Sequence, residues 1–321
     1  MKAFVTGGTG FIGSRVIKRL RDRGDDVVAL VRDPSKATGL VAQGVTLVEG
    51  DLSSDDAIRR GTEGADGVFH IGAVYKVGIT KKDRPPMWDA NVEGTRRILD
   101  AAESAGVSRI VYVSTGNVFG DTRGEVVDET YKRDLDDGFH SYYDETKFRS
   151  HELVSERIAK GAPIVIVQPG VVYGPGDHSE IGNLIDQLRT GKLKMRMFPD
   201  AGYNFVFVDD VADGIVLAFD KGTIGESYLL GGQLGTMDDL YEATASALGK
   251  KPPKLAMPVA MAKASAPLGP VIGPLMGFPP NMRELVKTSD VTITFTDDKA
   301  RRELGYNGRP LSAGIPETVS A

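Results

Sequence analysis

Short apolar runs rich in β-branched residues alternate with amphipathic stretches from the first residues onward, and that rhythm limits which architectures the chain can adopt. Lys2–Thr6 reads as a strand, Phe11–Arg23 as a helix and Val27–Val31 as a strand again. Val45–Val48, Gly67–His70, Arg109–Val113 and Pro163–Val167 continue the strand series, with helices expected at Asp55–Gly61, Trp88–Ala105 and Tyr142–Lys160. Strands joined through helices pair in parallel, so the pattern predicts an α/β fold built on a doubly wound parallel sheet with both faces covered.

Composition narrows the function classes. The 321 residues are 41% hydrophobic and 26% charged, as in a globular protein with a substantial core. A net charge of only -5 gives no basic footprint for nucleic acid. The absence of cysteine removes disulfides, thiol nucleophiles and thiolate metal sites, and no His/Asp/Glu set has metal-ligand spacing. Met1-Lys2 runs straight into the first strand without a leader pattern. The most apolar region, 255–280, is interrupted by Pro258, Pro267, Pro270 and Pro274, which suits a lid or packing segment better than a membrane span. A cytoplasmic enzyme acting on small molecules is the expectation.

The first strand leads into Thr6-Gly-Gly-Thr-Gly-Phe-Ile-Gly13. Gly7, Gly10 and Gly13 fall where a side chain would obstruct a tight turn, the approach of a pyrophosphate, or close helix–strand packing. The following helix N-terminus, approached through Phe11 and Ile12, offers N–H groups and a positive dipole to phosphate oxygens. The second strand ends on Arg32, with Ser35 and Lys36 close behind. An acidic residue at that tip would bind a ribose 2′-hydroxyl; an arginine fork suits a 2′-phosphate, which favours NADP over NAD. Asp33 keeps NAD open, because it could turn inward to the ribose.

With these residues in place the chain resembles the extended short-chain dehydrogenases/reductases, the NAD-dependent epimerase/dehydratase family. The similarity rests on TGGTGFIG, Asp51-Leu52, Asn91-Val-Glu-Gly-Thr95, Tyr112-Val-Ser-Thr-Gly-Asn-Val-Phe-Gly120, Tyr143-x-x-x-Lys147, Gln168-Pro-Gly-Val-Val-Tyr-Gly174 and Phe207-Val-Asp-Asp-Val-Ala212, in that family's order. The Val31-Arg-Asp-Pro-Ser35 run and the interrupted apolar region look most like the dihydroflavonol-reductase-like branch. The resemblance implies a Rossmann dinucleotide domain over 1–170 and a mainly substrate-binding part over 171–321, with 203–220 packing back on the first. It further implies cofactor contacts from Asp51, Leu52, Gly72, Ala73, Pro169, Gly170, Val171 and Val172, a structural or water-relay amide at Asn91, and a homodimer.

The reacting end lies in His140-Ser-Tyr-Tyr-Asp-Glu-Thr-Lys147. On a helix Tyr143 and Lys147 share a face, and a lysine ammonium one turn away would lower a phenol pKa from its usual value near ~10. Tyr143 is therefore the expected proton donor, and by resemblance Lys147 also bonds the nicotinamide ribose. Tyr142 reads as packing or as substrate wall. By the family's spacing the resemblance places the hydroxyl that polarises a carbonyl on Thr115, with Ser114 as the alternative, and only one of the two should reach because neighbouring strand residues face opposite ways. His70 is read as packed and hydrogen-bonded beneath the cofactor; His140 and His178 are loop residues.

Three functions fit. The first is an NADP(H)-dependent reductase of aldehydes or ketones. The second is a nucleotide-sugar epimerase with tightly held NAD; Tyr203-Asn204 stand where such epimerases carry an arginine, although Lys192, Lys194 and Arg196 lie nearby. The third is a dinucleotide-binding sensor without turnover. A cleft of Val74, Tyr75, Val77, Trp88, Met257, Met261, Met276 and Phe278 would favour an apolar carbonyl, or these residues simply pack a core.

Overall fold

The computed structural model describes residues 1–76, 78–258 and 291–320, together with 260, 261, 263 and 287. The strands that build the molecule are β1 (Lys2–Thr6), β2 (Asp26–Val31), β3 (Thr46–Glu49), β4 (Gly67–His70), β5 (Arg109–Val113), β6 (Ile164–Pro169), β7 (Val171–Tyr173), β8 (Gly202–Phe207), β9 (Ser227–Leu230) and β10 (Gln233–Thr236). Among the described residues, seven of them form one parallel sheet in the order β9-β6-β5-β4-β1-β2-β3. The expected strands are thus all present, with ends displaced by one or two residues. The chain runs outward from β1 to β3 and then returns to β4 on the other flank of β1. That reversal opens a crevice at the carboxyl ends of β1 and β4, the place where α/β sheets of this type hold ligands.

Period-two alternation sends one set of residues to each face of the sheet. Ala3, Val5, Val111, Val113, Val165 and Val167 pack against α1 (Gly13–Asp22), and against Val211, Ala212 and Ile215 of a later helix. Phe4, Val68, Ile110, Ile164 and Ile166 pack on the opposite face against α2 (Asp55–Thr62) and α3 (Gly94–Ser104). Each such side chain removed from water stabilises the fold by about 1.5–3 kcal/mol before chain entropy is counted. α4 (Tyr142–Ala159) covers this second face, with Val154 in its core. Two further helices matter below, α5 (Glu180–Arg189) and α6 (Val208–Lys221).

The expected single helix over Trp88–Ala105 is instead interrupted. An α-turn at Arg84–Trp88 passes into a π-helical turn at Asp89–Glu93 before α3 begins. The Asn91 carbonyl accepts from the hydroxyls of Thr95 (2.7 Å) and Ser150 (2.7 Å). Such turns recur where a helix serves a site.

After β6 a second sheet, β10-β8-β7, carries a core of Tyr173, Phe205, Phe207, Leu240, Leu311 and Ile315. Met257 pairs in a short strand with Met197, while Met261 is exposed. Val77, Met276 and Phe278, three of the expected cleft residues, and the prolines at 267, 270 and 274 lie outside the described residues. Among the described residues no helix is long and apolar enough to cross a membrane.

Candidate active site

The phosphate end is shaped by backbone contact. Gly7 has φ +75°, and a Cβ there would stand 2.8 Å from both the Cα and the N of Gly72. At Gly13 a Cβ would fall 2.1 Å from the Gly7 carbonyl oxygen. No side chain larger than hydrogen fits at either position, so the turn, the β4 exit and the start of α1 close on one another. The amides of Phe11 and Ile12 have no acceptor among the described residues. They stand at the N-terminus of α1, whose cap residue supplies no side-chain bond. This cradle fits a pyrophosphate and lies at the crevice between β1 and β4.

At the tip of β2, Asp33 does not turn inward. Its carboxylate accepts from the Ser35 amide (3.0 Å) and hydroxyl (2.6 Å) and pairs with Lys36 at 3.4 Å, capping a short 3-10 turn. Arg32 is exposed and makes no ion pair among the described residues. Asp51 is engaged in the turn after β3, accepting from the Ser53 amide and hydroxyl, and these bonds hold its carboxyl below the usual range. The Leu52 carbonyl takes a bond from Arg97. Gly170 approaches β8 so closely that a Cβ would meet the Asn204 carbonyl at 2.3 Å, which fixes the path of Pro169–Val172 beside the crevice.

A polar row crosses the sheet beneath this crevice. Thr6, His70 and Tyr112 are register partners on β1, β4 and β5. The Gly72 amide donates to Thr6 Oγ1 at 3.1 Å, and His70 bonds Thr6 Oγ1 through Nδ1 (2.8 Å) and Thr95 Oγ1 through Nε2 (3.0 Å). Because Thr95 gives its own proton to the Asn91 carbonyl, His70 Nε2 must carry the proton and Nδ1 must accept from Thr6. Burial, with Lys147 nearby, lowers the His70 pKa to about 3, so the ring stays neutral and the row keeps one direction. Asn91 closes the other end. Its amide accepts from the Val74 N–H (2.7 Å) and donates to the Val74 carbonyl and to Thr146 (both 3.0 Å). The backbone leaving β4 is thereby tied to the π-helical turn and to α4.

α4 carries the reacting groups. Ser141 caps it by accepting from the Asp144 amide at 3.0 Å, worth about 1 kcal/mol. Asp144 is buried and takes a bidentate pair from the buried Arg133 (2.7 and 2.8 Å), locking the preceding loop to the helix start. Tyr143 and Lys147 stand one turn apart on the side facing β5. Lys147 is 4% exposed, and its ammonium donates to the Val113 carbonyl (2.9 Å) and the Tyr112 hydroxyl (3.3 Å). Burial lowers its pKa to about 7. Burial, reinforced by Asp144, pushes the Tyr143 phenol above its ordinary value. The expected acidification of Tyr143 by Lys147 is therefore absent in this state. Lys147 is taken out of water and turned to the end of β5, and the Tyr143 phenol is partly covered, which opposes charge on each.

The two candidate hydroxyls separate cleanly. Ser114 Oγ is 3.0 Å from His151 Nδ1 on α4, directed into the packed face. Burial lowers the His151 pKa to about 4, leaving that ring neutral. Thr115, on the opposite side of the chain, accepts from the Asn117 amide at 3.3 Å and keeps its own proton to donate. Tyr142 lies under the Arg84 guanidinium, 4.9 Å from the ring centre. His140 has both ring nitrogens buried without a partner, and His178 is exposed.

Three contributors have roles that the sequence did not reveal, although Tyr112 and Thr95 lie inside quoted motifs. Tyr112 takes a bond from Lys147, and only its alternation with Val111 and Val113 signals which face it occupies. The Thr95 hydroxyl fixes the His70 tautomer from within a helix interior. Glu180 of α5 accepts from the Tyr75 hydroxyl at 3.0 Å across 105 positions of sequence. The Tyr75 ring in turn stands edge-on to Tyr143, centroids 4.8 Å apart at 87°, a contact worth about 0.5–1.5 kcal/mol beyond burial.

Known proteins resemble this chain in sequence and fold. The model of the NAD dependent epimerase/dehydratase family matches residues 3–231. A Synechocystis sp. protein provisionally named a dihydroflavonol 4-reductase is 31% identical, covering 98% of this chain and 93% of its own. A Stigmatella aurantiaca protein named 4-hydroxy-2-methyl-3-oxo-4-farnesyl-3,4-dihydroquinoline-1-oxide ketoreductase is 32% identical, covering 96% of this chain and 92% of its own. The crystal structure of gox2253 superposes with a TM-score of 0.84 at 33% identity, covering 99% of this chain and 96% of that one.

Proposed function

The chain belongs to the NAD-dependent epimerase/dehydratase family of extended short-chain dehydrogenases/reductases, and from that premise we propose that it is an NADP(H)-dependent reductase of aldehydes or ketones. The observation that carries this reading is Tyr143 one helical turn from a buried Lys147 whose ammonium is bonded at the carboxyl end of β5. A nicotinamide dinucleotide, when bound, supplies the hydride. The residues of the chain supply the proton and its control. Burial keeps Tyr143 protonated, and its hydroxyl gives that proton to the substrate oxygen. Lys147, one turn along the helix and anchored on the Val113 carbonyl, is held to bond the ribose of the bound dinucleotide rather than to acidify the free phenol. Thr115 keeps a hydroxyl proton for the same oxygen, whereas the Ser114 hydroxyl faces His151.

The choice of NADP rests on charge. Asp33 is occupied by Ser35 and Lys36, and the exposed Arg32 beside it, which makes no ion pair among the described residues, suits a 2′-phosphate. The epimerase alternative needs a cation for the nucleotide diphosphate. Asn204 is spent on the Phe295 backbone in both directions, and Arg196 is bound to Asp238. A reduction role agrees better with those engagements. A panel of aldehydes and ketones followed by NADPH absorbance, run beside UDP-sugars with NAD, tests the reading. Turnover of ketones is expected, and epimerisation without ketone turnover would overturn it.

A further inference from the structure

Tyr75 is held from two sides yet left half uncovered. Its backbone neighbour Val74 is clamped in both directions by the Asn91 amide, its ring stands upright against Tyr143, and its hydroxyl is fixed to Glu180. Even so, the residue is 50% exposed. Tied at the neighbouring backbone and at its hydroxyl, the ring offers a fixed rather than a swinging apolar face. Here the tether runs from the loop after β4 to α5, so it crosses the cleft directly beside the reacting phenol.

We propose that Tyr75 is the specificity-determining residue of this site, its ring forming the wall that seats a planar conjugated or aryl carbonyl beside Tyr143, with Glu180 the positioning residue that latches it. This rests on the carbonyl-reductase reading and deepens it. The perpendicular Tyr75 and Tyr143 rings form a corner. A flat substrate lying along the Tyr75 face would be seated beside the Tyr143 ring, and a puckered saturated ring of the same size would pack less closely on that face. The Glu180 carboxylate accepts a single charge-assisted bond, which holds the wall upright without blocking the mouth.

Acetophenone and cyclohexyl methyl ketone form a matched pair, equal in carbon count and different in flatness. With NADPH and the intact protein, Tyr75→Ala is expected to lower kcat/KM for the aryl ketone about tenfold more than for the cyclohexyl ketone. Tyr75→Phe keeps the ring and should keep the aryl preference while raising KM a few-fold. Glu180→Gln should do the same, and the double variant Tyr75→Phe with Glu180→Gln should be no worse than either alone. Calorimetric titration of the same two ketones into NADP-loaded protein gives the comparison independently of turnover. Equal losses for both ketones in Tyr75→Ala, or additive losses in the double variant, would overturn the proposal. Absence of ketone turnover in the unaltered protein would overturn the reductase reading instead, with the titration still deciding whether Tyr75 selects.

Discussion

Replacing Lys147 with methionine separates the cost of a buried charge from everything else at the site. The unfolded lysine keeps its proton up to about 10.5, whereas in the folded protein burial lets it go at about 7. Between these values the unfolded chain binds more protons, so folding stability must rise with pH across that window, and below it the full cost is present. At about 1.36 kcal/mol for each pH unit, the gain between pH 7 and pH 9 is about 2–3 kcal/mol. Lys147→Met removes this slope. It also leaves the Val113 carbonyl without its donor, but that loss is the same at both pH values and drops out of the comparison. The histidines do not interfere. His70 and His151 have folded values of about 3 and 4, so their contribution is lost only as pH falls below about 6.5. Urea unfolding followed by circular dichroism at pH 7 and pH 9, with no dinucleotide added, reads the slope. The unaltered protein should gain about 2–3 kcal/mol between the two and Lys147→Met almost nothing. Equal slopes for the two proteins would refute the placement of Lys147 as a desolvated cation.

Other substitutions probe single assignments. Arg32→Ala should weaken NADPH by about tenfold or more, the loss of a charge-assisted phosphate contact, and leave NADH within twofold in fluorescence titrations. Thr115→Ala should lower kcat/KM for ketone reduction by about tenfold or more, whereas Ser114→Ala, which breaks only the bond to His151, should act mainly on the melting temperature. Tyr142→Phe should change kcat less than twofold, because its ring is covered by Arg84.

The fold was legible because its signals are local and repeated. The runs from Lys2 to Val167 are apolar on both faces, as a buried parallel sheet requires, and Gly7 and Gly13 mark a contact at which any side chain would clash. Tyr143 and Lys147 were legible from helical spacing. Spacing alone gave no access to how far burial would dominate their titration, because desolvation depends on Tyr112, Val113 and Asp144 coming together from separate segments. The π turn at Asp89–Glu93 was hidden for a similar reason, since hydroxyls from α4 and from Thr95 share the Asn91 carbonyl. Asp33 read as a possible ribose ligand until its own turn claimed it. The Tyr75–Glu180 bond joins positions too far apart for any periodicity to connect.

Tyr143→Phe tests the proposed chemistry most directly, because it deletes one oxygen and leaves the ring against Tyr75. NADPH oxidation on a reactive ketone should fall by about 10²–10⁴-fold while the dissociation constant for NADPH stays within twofold. Turnover retained within tenfold would mean that another group delivers the proton, and the role given to this phenol would be wrong.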